Sequence, residues 1–315
     1  MDFRKLLPIT AIICLSAALL FHAFCDQTAA ATSQKNKSTF EKEWNLVSEY
    51  QKKGLTDSAS IIVETIYNTA KKSGNTELIV KSLIYKMMFN AYKEEDAYVK
   101  SLTRLKEEVQ SSPFPASSII HSLIAHTYWN YFQINRWKFM NRTQTVNFVN
   151  DDIRTWSLQK LASEITHHYE LSLAEPEKLK KIKIQEFKEL VANQSVFELR
   201  PTLFDLLAHR VIDAFKNDQT DIINPSYQFQ LDNVKYLDRC DAFSTMKITS
   251  NDSLSRKFHA LKRLQECIAF HLNDTDPQAL IDVDLERLSF VRSNAAFESK
   301  DQLYLKALTD LEKKY

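Results

Sequence analysis

The sequence predicts an all-α fold built of stacked antiparallel helical hairpins, a tetratricopeptide-like right-handed solenoid. Three observations carry this reading. Glycine occurs only at Gly54 and Gly74 in 315 residues, against roughly 7% in an average chain, so the residue that hairpin turns and strand bulges favour is nearly missing. Both glycines follow lysines, in Lys52-Lys53-Gly54 and Lys71-Lys72-Ser73-Gly74, where cations suit the carbonyl end of a helix and glycine accepts a left-handed terminating conformation. Apolar residues recur at three- and four-residue spacing through most of the chain, the period of a helix face.

Residues 1–31 read as an export signal. Arg4 and Lys5 precede an uncharged, largely apolar stretch from Leu6 to Phe24, and Ala29-Ala30-Ala31 offers a small-residue cleavage site. The stretch also approaches the length that crosses a bilayer, so an N-terminal membrane anchor is the alternative. Phe24 stands where acylation at Cys25 would require a small residue. The expected location is the periplasm or cell envelope of a Gram-negative bacterium, with residues 32–37 as a polar, flexible leader.

Residues 38–140 read as helical-hairpin repeats. Ser38-x-x-Glu41 is a capping box that opens a helix with Phe40, Trp44, Val47 and Tyr50 on one face. Thr56 or Asp57 caps a second helix, whose buried face holds Ala59, Ile62, Val63, Ile66, Tyr67 and Ala70. Asn75 caps a third with Ile79, Leu83, Met87 and Ala91, and Tyr98, Leu102, Leu105 and Val109 mark a fourth, ended by Ser111-Ser112-Pro113. Pairs with connections this short are the unit that solenoids stack. Pro115 then opens a long aromatic helix with Ile120, Leu123, Ile124, Tyr128 and Tyr131 on one face.

Residues 141–315 read as a continuing helical array. Residues 141–152 form a loop, and Thr155 caps a helix bearing Leu158, Leu161, Ile165 and Tyr169. A polar connection from Ala174 to Ile182 follows, and Pro201-Thr202 starts a helix through Phe204, Leu207, Val211, Ala214 and Phe215. Residues 217–252, with Asn224-Pro225, are the longest irregular stretch. Three helices close the chain, through Phe258-Leu261-Leu264-Ile268, Leu280-Val283-Leu288-Val291 and Leu303-Ala307-Leu308-Leu311. The last runs into Lys313-Lys314-Tyr315 with no polar capping repeat, which reads as the front part of a longer protein or a frame cut short.

The same composition bounds the chemistry. Lys and Arg number 41 against 40 Asp and Glu, and they interleave, as in Arg104-Leu105-Lys106-Glu107-Glu108, the pattern of a solvated helix face. Nucleic-acid binding, which needs a basic stripe, is not expected. Phosphate loops, dinucleotide fingerprints and serine nucleophile elbows all need glycines that are missing. No HExxH or CxxC motif occurs, and His121 and His126 are five residues apart, off a common face. Glu164 and His168, with His167 beside them, supply too few ligands for a metal and read as an intrahelical contact. Asp205, His209 and Arg210 read as helix-packing hydrogen bonds, so no catalytic, cofactor or metal site is expected. Tyr128-Trp129-Asn130-Tyr131-Phe132, with Trp137 and Phe139, reads as core or as a stacking platform for sugar rings. Cys240 and Cys267 form one bridge, or Cys267 is core.

Several segments together resemble the opening region of large bacterial alpha-2-macroglobulin family proteins. They are Glu43-Trp44 with Lys52-Lys53-Gly54-Leu55 and Ala59 through Ile66-Tyr67-Ala70; the run from Leu199-Arg200-Pro201-Thr202 to Ala208-His209-Arg210; and Asp284-Leu285-Glu286-Arg287-Leu288 before Tyr304-Leu305-Lys306-Ala307-Leu308. The resemblance covers most of residues 40–315 and implies a helical envelope scaffold ahead of a protease trap. The family's macroglobulin β-domains lie downstream of such a region. Its thioester pattern, a cysteine followed by x-Glu-Gln, has no counterpart here, since Cys267 is followed by Ile268-Ala269-Phe270. The expectation is a non-enzymatic scaffold making protein contacts with downstream macroglobulin domains or envelope proteins, touching membrane only through residues 6–24 if that segment stays uncleaved. A glycan-binding helical surface lipoprotein of a sugar-uptake system is the alternative. An all-helical hydrolase is the third reading, and it needs two convergent carboxylates.

Overall fold

The computed structural model describes residues 40–91, 96–140, 152–191, 197–216 and 228–315. The expected signal segment, the leader, Ser38 of the capping box and most of the 141–152 loop lie outside these residues. Among the described residues the fold is all-α, with no strand and two isolated bridges, Lys183 antiparallel to Thr202 and Leu231 parallel to Ala295. No described helix is long and apolar enough to cross a membrane. The described chain divides into two compact units, one of residues up to 116 with 185–191, the other of 117–184 with 197–315.

The first unit contains α1 (Glu41–Lys52), α2 (Thr56–Ser73), α3 (Thr76–Ala91) and α4 (Ala97–Ser111). Both expected glycine stops are present, with φ of 72° at Gly54 and 67° at Gly74. Each closes a paired C-terminal motif. The Leu55 amide donates to the Tyr50 carbonyl (2.8 Å) and Gly54 to Gln51 (3.0 Å), while Asn75 donates to Ala70 (3.0 Å) and Gly74 to Lys71 (3.4 Å). Asn75 then caps α3, its Oδ1 accepting from the Leu78 amide at 3.0 Å.

Two helix starts differ from expectation. Left-handed Phe40 (φ 80°) breaks the chain immediately before α1, so Glu41 is the first helical residue rather than the third residue of a capping box. Leu55, not Thr56 or Asp57, precedes the helical residues of α2. The turn is so tight that one residue completes the end of α1 and begins α2, leaving no position for a capping side chain.

α3 packs against α2 and α4 and is buried on most sides, with Leu78, Ile79, Leu83, Tyr85 and Phe89 inside. Its Lys81, only 6% exposed, pairs with Glu189 at 2.9 Å and sits 4.1 Å over the Trp44 ring. Glu77 accepts from the Glu189 amide at 2.7 Å, fastening the 185–191 segment to α3.

The second unit holds α5 (Ala116–Met140, all but its first residue), α6 (Leu158–Ser172), a single turn α7 (Pro176–Leu179) and α8 (Leu203–Lys216). It closes with α9 (Cys240–Ser244), α10 (Arg256–His271), α11 (Gln278–Asn294) and α12 (Lys300–Lys314). α5 departs from helical geometry at Asn135 (φ −105°, ψ 15°), whose side chain donates to the Tyr131 carbonyl at 2.9 Å. Ser157 caps α6, accepting from the Lys160 amide at 3.1 Å. Thr155, the expected cap, instead ends a 3-10 turn because its hydroxyl donates to the Asp152 carbonyl. α10 packs against α8 and α11, and α12 lies on α11 and the Val234–Leu237 turn. α12 has no buried residue, and its Leu305 is 66% exposed.

The described part of the expected irregular stretch, 228–252, holds two short turns, Val234–Leu237 and α9. They are fastened by side chains. Arg287 of α11 is wholly buried; it pairs with Asp284 at 2.8 Å, donates to the Tyr236 carbonyl at 2.7 Å and lies 4.5 Å over the Phe243 ring. Burial outweighs Arg287 and lifts the Asp284 carboxyl above the usual carboxylate range. Gln265 of α10 donates to the Phe243 and Met246 carbonyls, both at 2.7 Å. Cys240 and Cys267 are buried free thiols, so no bridge joins them.

Two outcomes follow for stability. A Cβ at Gly54 or Gly74 meets nothing within 4 Å, so Gly54→Ala and Gly74→Ala carry the left-handed backbone cost alone, about 1 kcal/mol each in urea unfolding. Gly→Asn at the same positions costs less, because asparagine tolerates that conformation. Arg287→Leu leaves Asp284 buried without its partner and costs about 3–5 kcal/mol, of which the double variant Arg287→Leu, Asp284→Leu regains a substantial part.

Candidate functional site

In the first unit, α2, α3 and α4 line an open groove of about 440 Å³. Each helix contributes residues a full turn apart: Tyr67 and Lys71 from α2, Lys86 and Asn90 from α3, Arg104 and Glu108 from α4. Leu83, Met87 and Leu105 make the apolar part of the lining. One wall is built on Glu108, which accepts from the Tyr67 hydroxyl, from Lys71 Nζ at 2.7 Å and from the Ser112 hydroxyl at 3.0 Å. Burial pushes the Glu108 carboxyl up, but these donors win and hold it below the usual range. Burial and the same carboxylate push the Tyr67 phenol up, which keeps it a donor. Lys86 pairs with Glu64 at 2.8 Å and lies 4.1 Å over the Tyr67 ring. The solvated-face reading of Arg104 to Glu108 therefore fails at Glu108, which is 9% exposed. Nothing in its local sequence reveals a partner that lies 41 positions earlier, at Tyr67.

In the second unit the structure separates the three neighbours Asp205, His209 and Arg210. Asp205 forms a reciprocal cap with Thr202: the Thr202 amide donates to Asp205 Oδ2 at 2.9 Å, and the Asp205 amide to the Thr202 hydroxyl at 3.3 Å. Its other oxygen lies 2.9 Å from His271 Nε2, while His271 Nδ1 lies 2.7 Å from Asp274 Oδ2. Two ring nitrogens facing two carboxylates require the doubly protonated imidazolium. Burial pulls the His271 pKa down, but the Asp205 and Asp274 contacts outweigh it and raise it. His209 Nδ1 sits 2.9 Å from Glu286 Oε2, at ion-pair distance without hydrogen-bond alignment. Lys216 also bonds Glu286. Burial would raise the Glu286 carboxyl, yet His209 and Lys216 hold it down at about 2. Arg210 turns away to the Ser122 hydroxyl at 2.9 Å.

The Glu164 and His168 pair spans 3.9 Å, and His168 Nδ1 meets His121 Nδ1 at 2.9 Å. One of these rings donates and the other accepts. Burial, with His167 nearby, lowers the His121 pKa, in keeping with a neutral ring. No group of three His, Cys, Asp or Glu side chains among the described residues is arranged to hold a metal. The aromatic run divides: Tyr128, Tyr131, Phe132 and Phe139 are buried, Arg256 stacks 4.3 Å over Trp129, and Trp137 is 77% exposed. Glu286 escapes sequence reasoning because its partners His209 and Lys216 lie on another helix, and the His271–Asp274 pair, though three residues apart, because Asp274 lies beyond the end of α10 and the ring's other partner, Asp205, is 66 positions earlier.

The His271 cluster makes a signed prediction. A pKa raised by folding contributes stability that is fully present below the unfolded value of about 6.5 and is lost as pH rises through the folded value. The stability gap between the wild type and His271→Gln, read from urea unfolding, is about 3 kcal/mol near pH 5.5 and narrows steadily above pH 6.5. No protein-family model, no curated protein and no solved structure matches this chain.

Proposed function

We propose that the chain is a non-enzymatic, exported helical-repeat scaffold of the Gram-negative cell envelope, working through protein contacts. In this reading it acts as the front region of a large bacterial alpha-2-macroglobulin-like protease-trapping protein does, with a tetratricopeptide-like right-handed stacking of its hairpins. The observation that carries the proposal is the α2–α3–α4 groove: consecutive short-looped helices leave an open surface whose lining alternates apolar floor with charged walls. Stacked helix pairs use such extended surfaces to hold other chains. The family part of this reading rests on the sequence resemblance alone, in segments such as Leu199 to Arg210 and Asp284 to Leu288. Residues 1–31 supply the export reading.

The sugar-platform alternative draws less support, because four of the rings it needs lie in the core and a fifth is stacked under Arg256. Trp137 alone faces solvent.

The test places a photo-crosslinking amino acid in the full-length chain, at Asn90 in the groove and at exposed Lys42 of α1, in cells that export it. The expected outcome is a discrete protein adduct from Asn90 and none from Lys42. Equal labelling at both positions, or no protein adduct at either with the fold intact by circular dichroism, overturns the proposal.

A further inference from the structure

We infer that the seam between α5 and α6 is a proton-operated latch: a bond between His121 and His168 closes it near neutral pH, and a second proton on the pair opens it while the α8–α10–α11 contacts of the same unit stay closed. The inference is independent of the groove and of what occupies it.

Histidine is unevenly distributed. Eight occur in the chain; His22 lies outside the described residues, and the other seven all belong to the second unit, since residues 40–116 and 185–191 hold none. Their partners sort them. His209 Nδ1 faces Glu286 at 2.9 Å, His271 lies between Asp205 and Asp274, and His259 Nδ1 is 3.3 Å from Glu170 Oε1. A proton on any of these rings is attracted to a carboxylate, so mild acid keeps or tightens the contact.

His121 and His168 instead face each other, Nδ1 to Nδ1 at 2.9 Å with ring centres 5.1 Å apart. The two nitrogens therefore point along the line between the rings, as a hydrogen bond requires, and not toward a third point as two ligands of one metal would. Such a bond needs one donor and one acceptor. The first proton taken up leaves an imidazolium donating to a neutral ring, and the bond survives. The second removes the acceptor and sets two cations against each other.

The surrounding charges determine which step is costly. On α6, Glu164 Oε2 lies 3.9 Å from His168 Nε2, Lys160 engages the same carboxylate, and the exposed His167 ring is centred 5.5 Å from that of His168. On α5, burial and Arg210 hold His126 down at about 3, and the Tyr128 ring packs 5.8 Å from His168. From α8, Arg210 bonds Ser122, next to His121. Glu164 thus favours the first proton, on His168. The second falls on His121, which burial and His167 hold below its usual 6.5. A folded pKa lowered in this way gives stability that is present above the unfolded value and lost as pH falls. α6 meanwhile stays fastened to α10, because Arg263 holds Glu170 at 2.6 Å.

The test is hydrogen–deuterium exchange of the full-length chain at pH 7, 6 and 5, read by mass spectrometry and corrected for the intrinsic pH dependence of exchange. Protection of peptides around His121 and His168 is expected to fall about tenfold from pH 7 to pH 5, the scale of one hydrogen bond, while peptides of α10, α11 and histidine-free α2 change less than about twofold. In the double variant His121→Gln, His168→Gln the side chains still donate and accept but take no proton, so seam protection no longer follows pH. A pair that serves packing alone leaves the acid response of that variant intact. A flat wild-type profile at the seam, a fall shared by α10 and α11 as in global unfolding through His126, or an acid response that persists in the double variant overturns the inference. If the double variant does not fold, the wild-type profile decides: a fall confined to α5 and α6 sustains the latch, and a flat or unit-wide one removes it.

Discussion

The second unit depends on a guanidinium with no access to water. Arg287 is the largest fully buried side chain among the described residues, and removing such a charge from solvent costs several kcal/mol unless its donors are satisfied. It offsets much of that cost with Asp284 one turn earlier, the Tyr236 carbonyl and the face of Phe243, while its Nη2 lies at ion-pair distance from Asp284 without an aligned hydrogen bond. The last two belong to the stretch between α8 and α10 that has little regular structure of its own. A segment without helical ladders must find other partners for its buried carbonyls. Arg287 and Gln265 supply them from rigid helices on either side, so the irregular stretch is held by side chains.

The same device sets the packing of α8. Its first turn is closed by Thr202 and Asp205, and the oxygen that Asp205 does not need for the cap is spent on His271 at the far end of α10. One turn later His209 reaches Glu286 of α11. Apolar helix faces tolerate sliding, because dispersion is non-directional and many side-chain arrangements fill the same space. Charge pairs one turn apart along α8 tie it to two different helices and penalise such slippage. Asp284, Glu286 and Arg287 thus give α11 a polar stripe directed inward, which explains why it is buried on several sides and lacks a clean apolar face.

How much of this is legible in the sequence follows from the range of the forces involved. Gly54 and Gly74 announce two helix ends correctly because a left-handed terminus is decided within a few residues. Asn75 and Thr202 are readable for the same reason. The starts of α1, α2 and α6 are not, since Phe40, Leu55 and Ser157 hold the position before the first helical residue while a serine or threonine nearby offers a plausible but wrong cap. The residues of the polar network attract notice as residue types, as Asp205 and His209 show, whereas their partners do not. Sequence spacing places side chains on one helix face; it says nothing of which face lies opposite. That is why Glu108 looks solvated and is not.

The division between committed and uncommitted polar groups bears on where interaction with other molecules belongs. Proton transfer to a substrate needs an acid or base whose pKa lies near working pH and whose reacting atom is within reach. Both nitrogens of His271 are engaged by carboxylates, and Glu286 at about 2 is too weak a base to compete. These groups hold their own helices together. The α2–α3–α4 groove follows the same economy: Tyr67, Lys71 and Ser112 engage Glu108, and Lys86 pairs with Glu64.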